Sequence, residues 1–417
     1  VDTSGWNWEP GERLVADLGA SRDKYEWVEE PHVSPDGETY AAVANVQGEF
    51  TACVNDEAWE NTFERVWNLG FGPDGRLTAC VSDMGEWKFV VDDEPWEESF
   101  GYVWDTHFSA DGSVIAAAIQ NDGAYGMAVD GTPWETLFEN GTAFTLSADG
   151  AHSAAAVQAK ELGQADIKRY QEGLYTVAID GNAWDTLFTN VFGVTLSADG
   201  SHAAAEVRTN LYDFTVAVDG APWAARFQGV WKPLFDPRDG SVVAPVRQGG
   251  KWSLARDGHL IWSLYGQCWH AAFSADGARL AAIVSPQFGR WTVAVDDKPW
   301  GLTFGEMVTD LALSPDGARA AALGKDGGKW AVMVDGKAWA GRYDMAWAPV
   351  LSLDGAHVAA KVEKGGKYTV AVNGKEYSRA GEACFDPAFS PDGRLVLVKM
   401  IENGKYHRRV VPVADFK

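Results

Sequence analysis

Ten times in 417 residues the chain repeats a short turn of the form Ser-Pro-Asp-Gly or a near variant. The aspartates of these turns are Asp36, Asp74, Asp111, Asp149, Asp199, Asp239, Asp276, Asp316, Asp354 and Asp392, spaced 37 to 40 residues apart except for a gap of 50 after Asp149. Asp-Gly tolerates the backbone of a tight turn, and between alternating apolar runs it is the strongest short signal of a β-hairpin. A unit of this period cannot bury its apolar faces alone and must stack on its neighbours. A chain of 45.2 kDa also exceeds the usual size of one hydrophobic core. Both considerations predict one repetitive architecture with its core distributed between the units.

Each unit reads as a β-meander. In the third, residues 103–109 form strand a, Asp111-Gly112 the turn, residues 114–119 strand b, residues 125–129 strand c, Asp130-Gly131 a second turn and residues 134–138 strand d. Four short strands in about 38 residues make one propeller blade, so the expected fold is all-β, a β-propeller of about ten four-stranded blades. After Asp392 the last unit supplies strands a and b and a third segment near 406–413, whereas an apolar segment near 13–18 precedes the first complete unit. Pairing these segments would cover two exposed sheet edges. Residues 1–417 are therefore expected to form a single domain, with 1–26 completing the last blade. Since propellers typically have four to eight blades, two five-bladed rings stand as the alternative.

The formal charge of −24 disfavours nucleic-acid phosphate and makes basic, lysine-rich proteins the electrostatic complement. No apolar run approaches the length of a spanning helix. Cys53, Cys80, Cys268 and Cys384 lack metal-ligand spacing and read as free thiols of a reducing compartment, so a cytoplasmic location is expected.

Three aromatic series run through the repeat. The first follows the c–d turn: Trp59, Trp96, Trp134, Trp184, Trp223, Trp262, Trp300, Trp339 and Tyr377. These are expected to fill the space between blades, where large rings bury most area. The second opens strand c with an aromatic of any type in every unit, from Phe50, Trp87 and Tyr125 to Tyr406, so bulk is required there and indole chemistry is not. The third precedes the marker aspartate by seven or eight residues: Trp67, Trp104, Phe192, Trp231, Trp269, Trp347 and Phe385, with Glu29, Thr142 and Thr309 in other units. Standing where strand d passes to the innermost strand a, this series is expected to gather at the channel mouth as a partner-binding surface. Packing over neighbouring strands is its plain structural alternative. About 12 extra residues within 158–173, carrying Lys160, Glu161, Asp166, Lys168 and Arg169, interrupt the fourth unit between strands b and c. This insertion would share the rim of the third series and add Lys160, Lys168 and Arg169 to the partner-binding set, or be a short helical surface loop.

Eight histidines show no paired-ligand spacing, and His152, His202 and His357 fall at one repeat position. The chain contains no GxSxG elbow, phosphate-binding loop, calcium loop or haem-attachment motif. No enzymatic activity and no cofactor are therefore expected.

The Asp-Gly turns, written Ser-Pro-Asp-Gly at 34–37, 314–317 and 390–393, resemble the WD40-like repeats of TolB-type propellers. Together with the 20 tryptophans, the repeats also resemble the tryptophan-rich propeller subunit of Tmc-type membrane redox complexes. That resemblance implies a non-catalytic scaffold of an electron-transfer complex, peripheral to the inner membrane, whose partners are a cytochrome b, an iron–sulfur protein and a multihaem cytochrome c. A propeller that binds a small molecule through aromatics at its channel mouth is the alternative function.

Overall fold

The computed structural model describes residues 2–161 and 167–417. Ten antiparallel sheets, each ordered a–b–c–d, form a ten-bladed β-propeller. The blades span residues 27–58, 65–95, 102–133, 141–183, 190–222, 229–260, 267–299, 307–338, 345–376 and 383–412, the last completed by Gly11–Asp17. Two compact groups contain them: Glu60–Leu264 holds blades 2 to 6, and Asp2–Trp59 with Tyr265–Lys417 holds blades 7 to 10 and blade 1.

Blade 3 shows the pattern, with strands Tyr102–Phe108, Ile115–Asn121, Ala124–Val129 and Thr132–Pro133. Its fourth strand corrects the expected 134–138. Only Thr132 and Pro133 pair in the ladder; the chain then leaves the sheet and returns at a single bridge between Phe138 and Tyr125. The excursion lets Trp134 turn into the core between blades 3 and 4, where its indole N–H donates to the Ser153 hydroxyl at 2.8 Å.

Strand b is the buried centre of each blade and is rich in alanine, as in Ala116–Ala118 and Ala203–Ala205, which lie fully buried. Small side chains leave room for the aromatic residues that the neighbouring blade inserts. The first aromatic series does this work: Trp96 lies over Gly131 of the next blade, Trp134 over Gly181, Trp184 over Gly220 and Trp339 over Gly374. One assignment is corrected. In blade 6 the repeat position is Ile261 and not Trp262, because the Ile261 N–H donates to Leu254 O at 2.8 Å, as the Trp134 N–H donates to Met127 O at 2.9 Å.

The expected closure is present. Gly11–Asp17 pairs antiparallel with Lys405–Pro412, bringing Gly11 opposite Val410 and Asp17 opposite Lys405. The seam between blades 10 and 1 buries charged and polar side chains beside an apolar cluster that includes Tyr40, Ala42, Ile401 and Tyr406. Arg408 donates to Asp36 O at 2.9 Å and pairs with Glu38 at 3.0 Å, while on the face of blade 10 toward Arg379 of blade 9, Arg409, 2% exposed, meets Glu12 and Glu402 at 2.9 Å each. The Tyr406 hydroxyl donates to Gly37 O at 2.9 Å, and Lys399 to Pro35 O at 3.0 Å. Burial drives the Lys399 ammonium down to about 8.

Candidate functional site

The two ends of a blade differ. At the end carrying the a–b and c–d turns, polar side chains tie the backbone together. In the a–b turn of blade 3, Asp111 Oδ1 accepts from the Ser109 hydroxyl at 2.7 Å and from the Ser113 N–H at 3.0 Å, while Ser109 Oγ accepts the Val114 N–H. These bonds, that from the Ser113 N–H first, hold the Asp111 carboxyl down to about 2. The c–d turn adds a second device. Its first residue, at positive φ, turns a carboxylate or amide oxygen onto the first N–H of strand b: Asp130 onto Ile115 at 2.9 Å, Asp180 onto Ser153 at 2.8 Å, Asp335 onto Ala320 at 2.9 Å and Asn373 onto Val358 at 3.0 Å. His152 and His202 bind the remaining oxygens of Asp180 and Asp219 at 2.6 Å, and His357 binds Asn373 at 2.8 Å. The marker aspartates and the repeated histidines are thus turn chemistry.

This end also carries open inter-blade grooves lined in part by charged side chains. One of about 730 Å³ lies between blades 2 and 3, lined by Arg76, Glu94, Trp96, Glu97, Glu98 and Asp130 among others. Its counterpart between blades 7 and 8, about 370 Å³, is lined by Arg279, Asp296, Lys298, Trp300 and Asp335. Both are versions of one seam, the edge of a first-series tryptophan lying against the next c–d turn.

The other end carries the b–c turns and the d–a connections, and here lie all seven residues of the third aromatic series. Each stands near the start of strand a, beside a break in the ladder. In blades 1 to 4, 7 and 8 the next residue is left-handed: Glu30, Asn68, Asp105, Ala143, His270 and Asp310 have φ between 49° and 56°. In blades 6, 9 and 10 strand a splits in two at Lys232-Pro233, Ala348-Pro349 and Asp386-Pro387, since proline cannot donate to the ladder. The bulge turns the aromatic ring onto the second-series residue of its own blade. Trp231 stacks on Trp252 with centroids 5.4 Å apart, Trp269 meets Trp291 at 4.4 Å, Phe192 meets Phe214 at 6.1 Å, Trp347 meets Tyr368 at 5.8 Å and Phe385 meets Tyr406 at 6.0 Å.

The series is therefore mostly a set of pairs within blades. Blades 2 and 3 are the exception, where Trp67, Trp87, Tyr102, Trp104 and Tyr125 form a continuous run with neighbouring centroids 4.8 to 6.4 Å apart. Trp67 is 48% exposed, Phe192 42% and Trp231 47%; Trp104, Trp269, Trp347 and Phe385 are half-buried. Solvent thus reaches three of the predicted aromatics well.

The insertion in blade 4 holds a short helix, Ile167–Glu172, while Asp166 lies outside the described residues. Tyr170 anchors it: its hydroxyl donates to Asn190 Oδ1 at 2.6 Å and accepts from Arg208. Asn190 opens strand a of blade 5, two residues before Phe192, so the helix sits beside that member of the aromatic series. Lys160 is exposed, Lys168 pairs with Glu172 at 4.0 Å, and Arg169 is exposed.

The same end bears residues that the sequence reading passed over. The b–c turns hold Met84, Tyr212 and Phe288, of which Met84 is 88% and Tyr212 80% exposed and Phe288 fully so. An apolar residue directly before a turn glycine, as in Met84-Gly85 and Phe288-Gly289, was the available signal. Lys361 was also passed over; its ammonium lies 4.5 Å from the centre of the Trp347 ring. In strand b of blade 5, Glu206 is a buried carboxyl in the run 203–207 that is otherwise alanine and valine, and desolvation pushes it up to about 7.

All four cysteines are free and buried, and burial pushes the Cys80, Cys268 and Cys384 thiols up to about 12. Among the described residues no cluster of three or more His, Cys, Asp or Glu is placed to hold a metal ion. No described helix is long and apolar enough to cross a membrane.

No protein-family model matches this chain, and no curated protein matches it. Solved structures match it at low similarity. A eukaryotic initiation factor aligns over 94% of this chain and 90% of its own at 12% identity and a TM-score of 0.40. The Dos1 propeller aligns over 97% and 95% at 12% identity and 0.35, and the β-propeller domain of Cps50 (Swd1) from Myceliophteria thermophila over 66% and 97% at 12% and 0.33.

Proposed function

We propose that this propeller is a non-catalytic docking subunit that binds partner proteins through the b–c and d–a ends of its blades. The observation that carries the reading is that the most exposed large apolar side chains stand at this end. Phe288, Met84, Tyr212 and Ile167 come ahead of Leu353, at 62% in an a–b turn, and of Leu260 and Ile261, at 39% beside a c–d turn. Met84, Tyr212, Phe288, Trp67, Phe192 and Trp231 all stand at that end, whereas most polar groups of the opposite end are tied up in turn hydrogen bonds. Large apolar groups held in water by rigid hairpins favour a surface that becomes covered. The charge of −24 favours basic partners. The resemblance of the repeats to the tryptophan-rich subunit of membrane redox complexes supplies a finer proposal, that the partners are a cytochrome b, an iron–sulfur protein and a multihaem cytochrome c.

The test is affinity capture from the native source with the parent and with a Met84→Ser, Tyr212→Ser, Phe288→Ser triple variant. The proposal expects defined proteins that the parent retains and the triple variant loses, and haem absorbance in the eluate if the finer form holds. Equal recovery by both proteins overturns the docking surface.

A further inference from the structure

In blade 9 the protein places a cation of its own on the third aromatic series. Lys361, at the fourth position of strand b, lies opposite Trp347, whose N–H donates to Lys361 O at 3.1 Å. Its ammonium sits 4.5 Å from the Trp347 ring centre and 3.2 Å from Asp386 Oδ1 of the next blade. A tryptophan face with a carboxylate beside it is a receptor for an ammonium group, since the ring quadrupole and the anion both attract the charge. Asp386 directly follows the third-series residue of its own blade.

The same two receptor positions recur. Blade 2 carries Trp67 and blade 3 follows Trp104 with Asp105, but the fourth strand-b position of blade 2, paired with Trp67, is Cys80. The seam joins the chain neighbours of Trp67 and Asp105. Thr106, next to Asp105, bonds Cys80 and also accepts from Asn68 Nδ2, next to Trp67, at 3.3 Å. Trp269 and Asp310 repeat the pair in blades 7 and 8, with Ile283 in the lysine's place, but Trp269 is half-buried against Trp291. Trp67 differs in being 48% exposed, with Trp87 and Tyr102 flanking it, and the Asp105 side chain is likewise 48% exposed. Asp105 also meets His107 at 3.3 Å. Glu64, Asp83 and Glu86, all exposed, lie at this end of blade 2 together with Arg65.

We infer that Trp67 and Asp105 bind the ammonium of a lysine side chain from a basic partner segment, the part that Lys361 plays internally between Trp347 and Asp386. This rests on the docking reading and names the chemistry of what docks. The aromatic run of blades 2 and 3 covers the alkyl stem of the lysine, and Asp105 takes its charge.

The probe is an end-blocked hexalysine peptide titrated into the full-length protein, followed by indole N–H NMR signals and by calorimetry. The expected result is a shift of the Trp67 indole. Affinity should fall about fivefold or more in Trp67→Leu and in Asp105→Asn, and the acetylated, uncharged peptide should not bind. Lys361→Met should make the Trp347 indole respond as well, without touching blade 2. A Trp67 signal that does not move, binding by Asp105→Asn within twofold of the parent, or equal binding of the acetylated peptide overturns the inference. Circular dichroism of each variant confirms that it is folded. Captured partners with no Trp67 response would sink this site alone, whereas a Trp67 response without captured partners would sink the docking role alone.

Discussion

At one end of blade 4, Asp180 gathers the Ser153 N–H at 2.8 Å, the Ser153 hydroxyl at 3.0 Å and the His152 ring at 2.6 Å. At the other end of blade 5, Tyr212 stands 80% exposed and Phe192 42% exposed. The repeat thus specifies its two ends by different means. One is fixed by polar groups that satisfy backbone donors and are needed in every blade. The other is fixed by a bulge and one aromatic pair, which leaves the outer side chains free to vary. Methionine, tyrosine, phenylalanine, or a pair of glycines at Gly249 and Gly250, occupy equivalent b–c turns. A scaffold that must stay rigid and still present distinct surfaces needs that division.

The largest effect should come from the polar end. Asp180→Ala removes three hydrogen bonds and puts alanine at a φ of 49°, so a loss of about 3 kcal/mol is expected, read as a lowered urea midpoint. A loss under about 1 kcal/mol would show that the turn network is redundant and would break the comparison.

A smaller, pH-dependent effect belongs to Glu206. Its carboxyl titrates near 7 when folded against an ordinary value of 4.5, so between those values the folded state holds the extra proton. Stability from this group is therefore full below about 4.5 and is lost as pH rises through 7, by about 2 to 3 kcal/mol between pH 5 and 8. Glu206→Gln should flatten that slope in denaturant midpoints measured from pH 5 to 8. An unchanged slope would refute the assignment.

The smallest effect on stability should come from the apolar end. Met84→Ser and Tyr212→Ser are each expected to shift the melting midpoint by less than the equivalent of about 0.5 kcal/mol, even if partner capture is abolished. A large loss would mean that these tips support the fold and would remove the contrast between the ends.

Most of the fold was legible because its turns demand a backbone that few residues adopt. Asp-Gly at 130–131 and 180–181 marks the c–d turn directly, and counting from it locates strand b and the closing strand Gly11–Asp17. The same counting explains the misplaced Trp262: residue type suggested the tryptophan, whereas distance from Asp257-Gly258 selects Ile261. Strand d was too long in the sequence reading because nothing in residues 134–138 shows that the ladder stops after Pro133. The candidate site was legible only in part. Trp67 and Trp347 look alike in sequence; that one meets Cys80 and the other Lys361 depends on register across strand b, and the carboxylates come from the following blades. Glu206 was likewise hidden, since a lone glutamate among alanines reads equally well as an exposed residue.

The closing strand has a consequence for how the protein is made. Gly11–Asp17 leaves the ribosome long before its partner Lys405–Pro412. Most other ladders join residues a few dozen positions apart and can form as each blade appears. Until the hairpin carrying Lys405–Pro412 is complete, the newborn chain carries an unpaired strand Gly11–Asp17, and Glu12 and Glu38 lack Arg409 and Arg408. The most dangerous intermediate of synthesis is therefore a nearly finished sheet array with free edges, and the yield should depend more on what shields that stage than on the stability of any blade.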